Sequence, residues 1–273
     1  MNISLLLNTH QNSPVFQDTL DSVLTHVTKD ALVIVDGVGW QEFENYECPA
    51  SVMCGFRHGV RKSPYRNMAL GMKMMSEKWP ESDWFCYSEY DVLFASDKFK
   101  ANLKAAEEKE IWMMGNDGHI DDKEMPLIES MLGGKFRSYY YLLGCCQFFH
   151  KNFIKKLNEI EFFDRFLGLT NQFTEGQMPG YSAYDVSEHL YPSLCRQFGG
   201  NIGVFASYDE RGQWHGHYRS YPMRFTPQIN AETENFPEAT IIHPVKDYDH
   251  PIRVANREIR KCIKTKNQKS LAS

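Results

Sequence analysis

Two carboxylates, Glu89 and Asp91, stand i, i+2 between apolar runs: Trp84-Phe85-Cys86-Tyr87-Ser88 before them and Val92-Leu93-Phe94 after. Carboxylates are almost never fully buried unless they are paired or hold a metal. An acidic pair wedged in this way either closes a strand in a solvated turn or needs a partner. An economical partner is a divalent cation at the carboxyl end of a strand, where open α/β sheets take up their ligands. Oxygen ligands suit Mg²⁺ or Mn²⁺. Far along the chain, His243-Pro244-Val245-Lys246 places an imidazole and an ammonium directly after a short apolar stretch. Asp185 and Glu188 lie three residues apart, which on a helix puts both acids on one face. In that position they read either as groups for proton transfer or as first-turn acids complementing the helix dipole. His215 and His217 are too isolated to make a metal site without a third ligand.

The elements that must carry these residues read as α/β. Residues 3–7 form a buried strand, followed by a polar loop in which Ser13 caps a helix and Pro14 takes its first position. Val15, Phe16, Thr19, Leu20, Val23 and Leu24 then recur at helical spacing. Residues 31–35 form a second strand closed by Asp36-Gly37, and 52–56 a weaker third. Ser63-Pro64 repeats the helix start signal for a helix reaching residue 78, whose Met-rich face reads as core filler. The acid-bearing strand follows. After it come a helix over 96–110, a strand over 111–114 ending in a loop over 115–122, a long aromatic strand over 139–149 and a helix over 152–160. Residues 168–181 read as loop, 182–198 as helix, 202–206 as strand, 208–235 as irregular and 240–242 as a short strand. Strand–helix alternation in the first part implies a parallel sheet with right-handed crossovers.

Composition sets outer bounds. A chain of 273 residues, 42% hydrophobic and 14% aromatic, can build one large α/β domain and is not globally disordered. Its net charge of −5 argues against nucleic acid as a partner of the whole chain. The charge is uneven: residues 253–273 hold seven Lys/Arg and one acid, a net +6 that leaves −11 elsewhere. With Ile252, Ile259 and Ile263 interleaved, this basic tail reads as a solvated terminal helix or as a segment lying on an anionic membrane surface. Seven cysteines without a C-x-x-C pair, no signal-like start and no apolar run of membrane-spanning length imply a reducing, cytoplasmic setting.

Taken in order, five features resemble the GT-A family of nucleotide-sugar-dependent glycosyltransferases. They are a first strand ending in a polar loop with Thr9, a second ending at Asp36, a helix opening Pro64-Tyr65-Arg66-Asn67, a strand ending Glu89-Tyr90-Asp91, and the late His243 with Lys246. The resemblance covers residues 1–100, with His243 its main support beyond. It implies a Rossmann-like, mixed and mostly parallel sheet flanked by helices. Residues 1–250 would be one catalytic domain (1–115 for the nucleotide sugar, 116–250 for the acceptor), with 251–273 as a tail. It implies that Thr9 meets the nucleotide through its backbone, that Asp36 binds base or ribose, and that Arg66 and Asn67 approach ribose, diphosphate or sugar. Asp91 matches the last acid of the family's DxD motif, a direct metal ligand, and Glu89 stands in place of the first acid. His243 would complete the shell of a bound Mn²⁺ or Mg²⁺, and Lys246 would reach the diphosphate. In similar inverting enzymes a carboxylate at the start of a helix is the general base, which points to Glu188 and then Asp185; a retaining enzyme needs no such base. The implied partners are a nucleotide-sugar donor and a glycan, lipid-linked or small hydroxyl acceptor.

Two other readings stand beside this one. A sugar nucleotidyltransferase also pairs acids on an α/β sheet, but it usually carries a Gly-rich basic loop after its first strand. Here Asn8-Thr9-His10-Gln11-Asn12 has no Gly, Lys or Arg. A non-catalytic carbohydrate- or nucleotide-binding protein would suit the abundant Tyr and Trp.

Overall fold

Strands β1 (Ile3–Thr9) and β2 (Ala31–Val35) are buried at nearly every position, as strands covered on both faces are. In the computed structural model they pair in parallel at the heart of a seven-stranded sheet. The structure describes residues 1–37, 39–56, 64–173, 178, 186–205, 207–208, 214–215, 223–225 and 239–272. The other sheet members are β3 (Ser51–Cys54), β4 (Trp84–Glu89), β6 (Ile111–Asp121), β7 (Tyr139–His150) and β8 (Asn201–Val204). Their order is β3-β2-β1-β4-β7-β6-β8. Only β7 runs against its neighbours; the other six strands point the same way. The expected mixed, mostly parallel α/β sheet flanked by helices is therefore present.

Alternate residues of each strand feed two cores. Leu6, Leu32, Ile34, Phe85 and Phe149 pack with Met68, Met72 and Met75 of helix α2 (Pro64–Lys78). Leu5, Leu7, Val33 and Trp84 pack with Phe16, Leu20 and Val23 of α1 (Pro14–His26) and Phe99 and Leu103 of α3 (Phe99–Glu107). This is the period-2 alternation of a strand with both faces covered. The α1 cap is as expected: Ser13 Oγ accepts a hydrogen bond from the Phe16 amide at 3.2 Å, with Pro14 beginning the helix. The start of α2 at Ser63 lies outside the described residues.

Several boundaries differ from expectation. The loop expected over 115–122 is instead strand, because β6 continues to Asp121 in an antiparallel ribbon with β7, interrupted by bulges around Asn116. Its glycines serve close packing: a Cβ on Gly115 would come 2.8 Å from the Leu142 side chain. Helices α4 (Pro126–Leu132) and α6 (Phe162–Thr170), on either side of α5 (Lys151–Glu159), are additions to the expected set. The helix expected over 182–198 is described from residue 186 as one π-helical turn, Val186–Leu190, leading into α7 (Tyr191–Gln197). Within the stretch read as irregular lie the short strands β9 (Ser207–Tyr208), β10 (Trp214–His215) and β11 (Met223–Phe225).

Two additions to the main sheet matter for the site. A small second sheet, β11-β12-β5, joins β12 (Ile241–His243) to β5 (Leu93–Phe94), with Ile242 opposite Leu93. The basic tail is helix α8 (Pro251–Ala272), and it is neither detached nor wholly solvated. Arg253 and Arg260 are buried against α1, where both bind the buried carboxylate of Asp18. Among the described residues no helix is long and apolar enough to cross a membrane.

Candidate metal centre

Strand β4 ends at Glu89, and a tight turn closed by the Val92 amide on the Glu89 carbonyl (3.2 Å) presents Asp91. The β5–β12 pairing then brings in His243, the last residue of β12, from 152 positions away. Asp91 Oδ1 lies 3.3 Å and Glu89 Oε2 3.7 Å from His243 Nε2. One ligand atom from each of the three side chains falls within 4.8 Å of the other two, and no other such trio occurs among the described residues. The Lys246 ammonium stands 3.8 Å from Asp91 Oδ2 with its side chain largely exposed.

Asp91 is 2% exposed and His243 7%, while Glu89 is half-buried at the mouth. Asp91 Oδ1 is enclosed, and the polar group that approaches it is the His243 nitrogen at 3.3 Å. A buried carboxylate oxygen in that state carries a desolvation cost that a cation would offset. Burial pushes the Asp91 carboxyl up, but His243 and Lys246 outweigh it and hold the group below the usual carboxylate value. For His243, burial disfavours charge, yet Cys145, Asp91 and Glu89 raise its pKa well above the ordinary one. Two carboxylates and an imidazole form a donor set that fits Mn²⁺ or Mg²⁺, with Mn²⁺ the better match to the nitrogen.

Of the other expected residues, Thr9 and Asp36 lie at the ends of β1 and β2, and Arg66 and Asn67 beside the chain beyond β3. Glu89 is opposite Asn8 in the β1–β4 register, so the ends of β1 and β4 coincide. Thr9 ends β1, and its carbonyl accepts from the Asp36 amide at 2.8 Å, which sets Thr9 and Asp36 side by side on the same sheet edge. The next residue, His10, meets the Tyr90 ring edge-on at 4.9 Å, joining that loop to the acidic turn. Asn67 is buried and accepts from the Phe56 amide at 2.7 Å, fastening α2 to the chain beyond β3. Arg66 lies over the Phe56 ring, 3.7 Å from its centroid, and donates to Asn171. Both fasten the start of α2 to its surroundings.

Glu188 sits on the π-helical turn with Oε1 accepting from the Gly144 amide at 3.2 Å. Gly144 has to be small there, since a Cβ would come 2.9 Å from Glu188 Cγ. The next residue along β7 is Cys145, whose thiol hydrogen-bonds His243, so Glu188 and the metal trio flank consecutive residues of one strand. The Tyr141 hydroxyl also bonds Glu188, and burial, followed by that carboxylate, pushes the phenol far up. Asp185, His217 and Gly216 lie outside the described residues.

Three contributors escaped the sequence. Cys145 reads as one apolar residue in an apolar strand; burial pushes its thiol up to about 11 against the opposing pull of His243. Asp18 and Arg253 read as surface charges. The available signal was spacing: Asp18 interrupts the apolar face Phe16, Thr19, Leu20, while Arg253 and Arg260 stand i, i+7 on one face of the tail helix.

No protein-family model matches the chain, and no curated protein matches it. Among solved structures the chain is similar to a glycosyltransferase involved in the glycosylation of the major capsid of PBCV-1, at 14% identity and a TM-score of 0.45 over 96% of this chain and 100% of that one. It is similar to the bifunctional glycosyltransferase WbbM at 10% identity and 0.44, over 90% of this chain and 46% of that one. It is also similar to 4-diphosphocytidyl-2C-methyl-D-erythritol synthase from Anaerococcus prevotii at 12% and 0.40, over 74% and 86%. Likenesses of this degree identify neither a reaction nor a substrate.

Proposed function

We propose that the chain is a metal-dependent glycosyltransferase of GT-A type, moving a sugar from a nucleoside-diphosphate sugar to a hydroxyl of a glycan, lipid-linked or small acceptor. The observation that carries this reading is the trio Glu89, Asp91 and His243, with an enclosed Asp91 oxygen facing the imidazole, at the carboxyl end of a parallel strand. That is where open α/β sheets bind ligands. These three residues would hold the Mn²⁺ or Mg²⁺. A divalent cation supplies neutralisation of the charge that gathers on the departing nucleoside diphosphate.

The chain's own groups divide the remaining work. Lys246 is exposed beside Asp91 and can turn its ammonium onto the diphosphate. Thr9 and Asp36, adjacent on the sheet edge, line the place for base and ribose, with Arg66 and Asn67 shaping its far wall. Glu188, held by the Gly144 amide and Tyr141, is the general base that takes the acceptor hydroxyl proton. Asp185 is the second choice for that role.

Calorimetric titration with UDP and GDP, in Mn²⁺ and in chelator, tests the reading. One nucleotide should bind in Mn²⁺, lose most of its affinity in chelator, and show no metal response in Asp91→Asn, whose circular dichroism should match wild type. Nucleotide affinity that is the same in metal, in chelator and in the variant would reject the site.

A further inference from the structure

The two halves of the metal centre are remote in sequence and sit on unlike supports. Asp91 is on the β4–β5 turn, and His243 ends a three-residue strand. Beyond the two-residue β5–β12 ladder, the Val245 amide donates to the Asp91 carbonyl at 2.9 Å. A second bridge is made by one side chain from α8. Arg253 Nε donates to the Val245 carbonyl at 2.9 Å, and its Nη2 to the Asp91 carbonyl at 3.4 Å. The remaining face of the guanidinium is fixed by Asp18 Oδ2 at 2.7 Å and Thr19 Oγ1 at 3.1 Å, both on α1. Arg253 is wholly buried, so water competes for none of these bonds.

We propose that Arg253 is a positioning residue for the metal centre, setting the Asp91 carboxylate at its working distance from the His243 imidazole. The inference rests on the metal-centre reading above. Only a guanidinium can serve here. Its rigid planar fork reaches two carbonyls, a carboxylate and a hydroxyl at once, whereas a lysine ammonium is a single point of charge. Arg260 is the natural comparison. It is equally buried and also binds Asp18, but its other partners are Asp21 and Asn256, and none of the bonds recorded for it reaches Asp91 or Val245.

The experiment uses the full-length protein and Mn²⁺ alone as probe, with the dissociation constant measured by calorimetry and folding followed by thermal melting. Arg253→Lys and Arg260→Lys both keep a cation beside Asp18 and both lower the melting temperature. Arg253→Lys should weaken Mn²⁺ binding by about 10–100-fold, the usual effect of losing a group that orients metal ligands. Arg260→Lys should leave the Mn²⁺ constant unchanged. If Arg253→Lys does not fold, the Asp18→Asn/Arg253→Gln pair replaces both charges by neutral hydrogen-bonding groups, and it should show the same loss. A folded variant at position 253 with wild-type Mn²⁺ affinity, or equal losses at 253 and 260, overturns the positioning role. Wild-type protein that takes up no Mn²⁺ overturns the metal centre itself, and the positioning role with it.

Discussion

A carboxylate enclosed as tightly as Asp91, with a histidine nitrogen against its inner oxygen, is costly for folding and useful for binding. Glu188 is a different kind of acid: half-buried, and bound through a main-chain amide and a phenol. Glu188→Gln preserves both the shape and the Gly144 bond but cannot take a proton. Turnover should fall by roughly 10²–10⁴-fold while nucleoside diphosphate affinity stays unchanged. Full transfer activity in that variant would remove Glu188 from the reaction. At this scale the sequence was legible where a residue type clashed with its surroundings. Glu89 and Asp91 stood out between apolar runs, and His243 stood out beside a proline and a lysine. Cys145 and Asp18 did not, because a thiol fits an apolar strand and an aspartate fits a helix surface; only the third dimension sets one on His243 and the other under two arginines.

At the scale of elements, α1 and α8 are joined by charge as well as by apolar packing. Asp21 of α1 accepts from Arg260 Nε at 2.8 Å and from Lys264. Burial pushes the Asp21 carboxyl up, but Lys264 and Arg260 overcome this and hold it below 3.8. A folded-state value below the unfolded one contributes stability at all pH above 3.8, and that contribution fades as pH falls through the folded value. Asp21→Asn should therefore lower the melting temperature near neutral pH and leave it unchanged well below 3.8, where both forms are uncharged. Equal melting curves at neutral pH would show that the ion pairs of Asp21 contribute nothing. Helix α1 was legible from its cap, its proline and its apolar spacing. The extension of β6 was not, since Gly115-Asn116-Asp117-Gly118 carries every local sign of a turn and the ribbon with β7 overrides it.

Across the whole molecule, the basic helix closes the structure on itself. Deleting residues 251–273 would remove Arg253 and Arg260 from Asp18 and uncover the face of α1 on which the helix packs. The deletion also takes away the apolar contact of Ile252 with Leu93, Ile242 and Val245. The truncated chain should melt far lower or fail to fold, as read by circular dichroism. A tail that serves only a membrane surface would instead come away with the melting temperature unchanged. The Asp18–Arg253 bond spans 235 positions, and that separation has a meaning in time. A ribosome adding about 5–20 residues per second makes the aspartate first and its arginine some tens of seconds later. Through that interval the first helix must wait with its carboxylate in water. Arg253 is thus among the late residues to reach its place between Asp91 and Val245, and the turn that carries Asp91 goes without that brace until then.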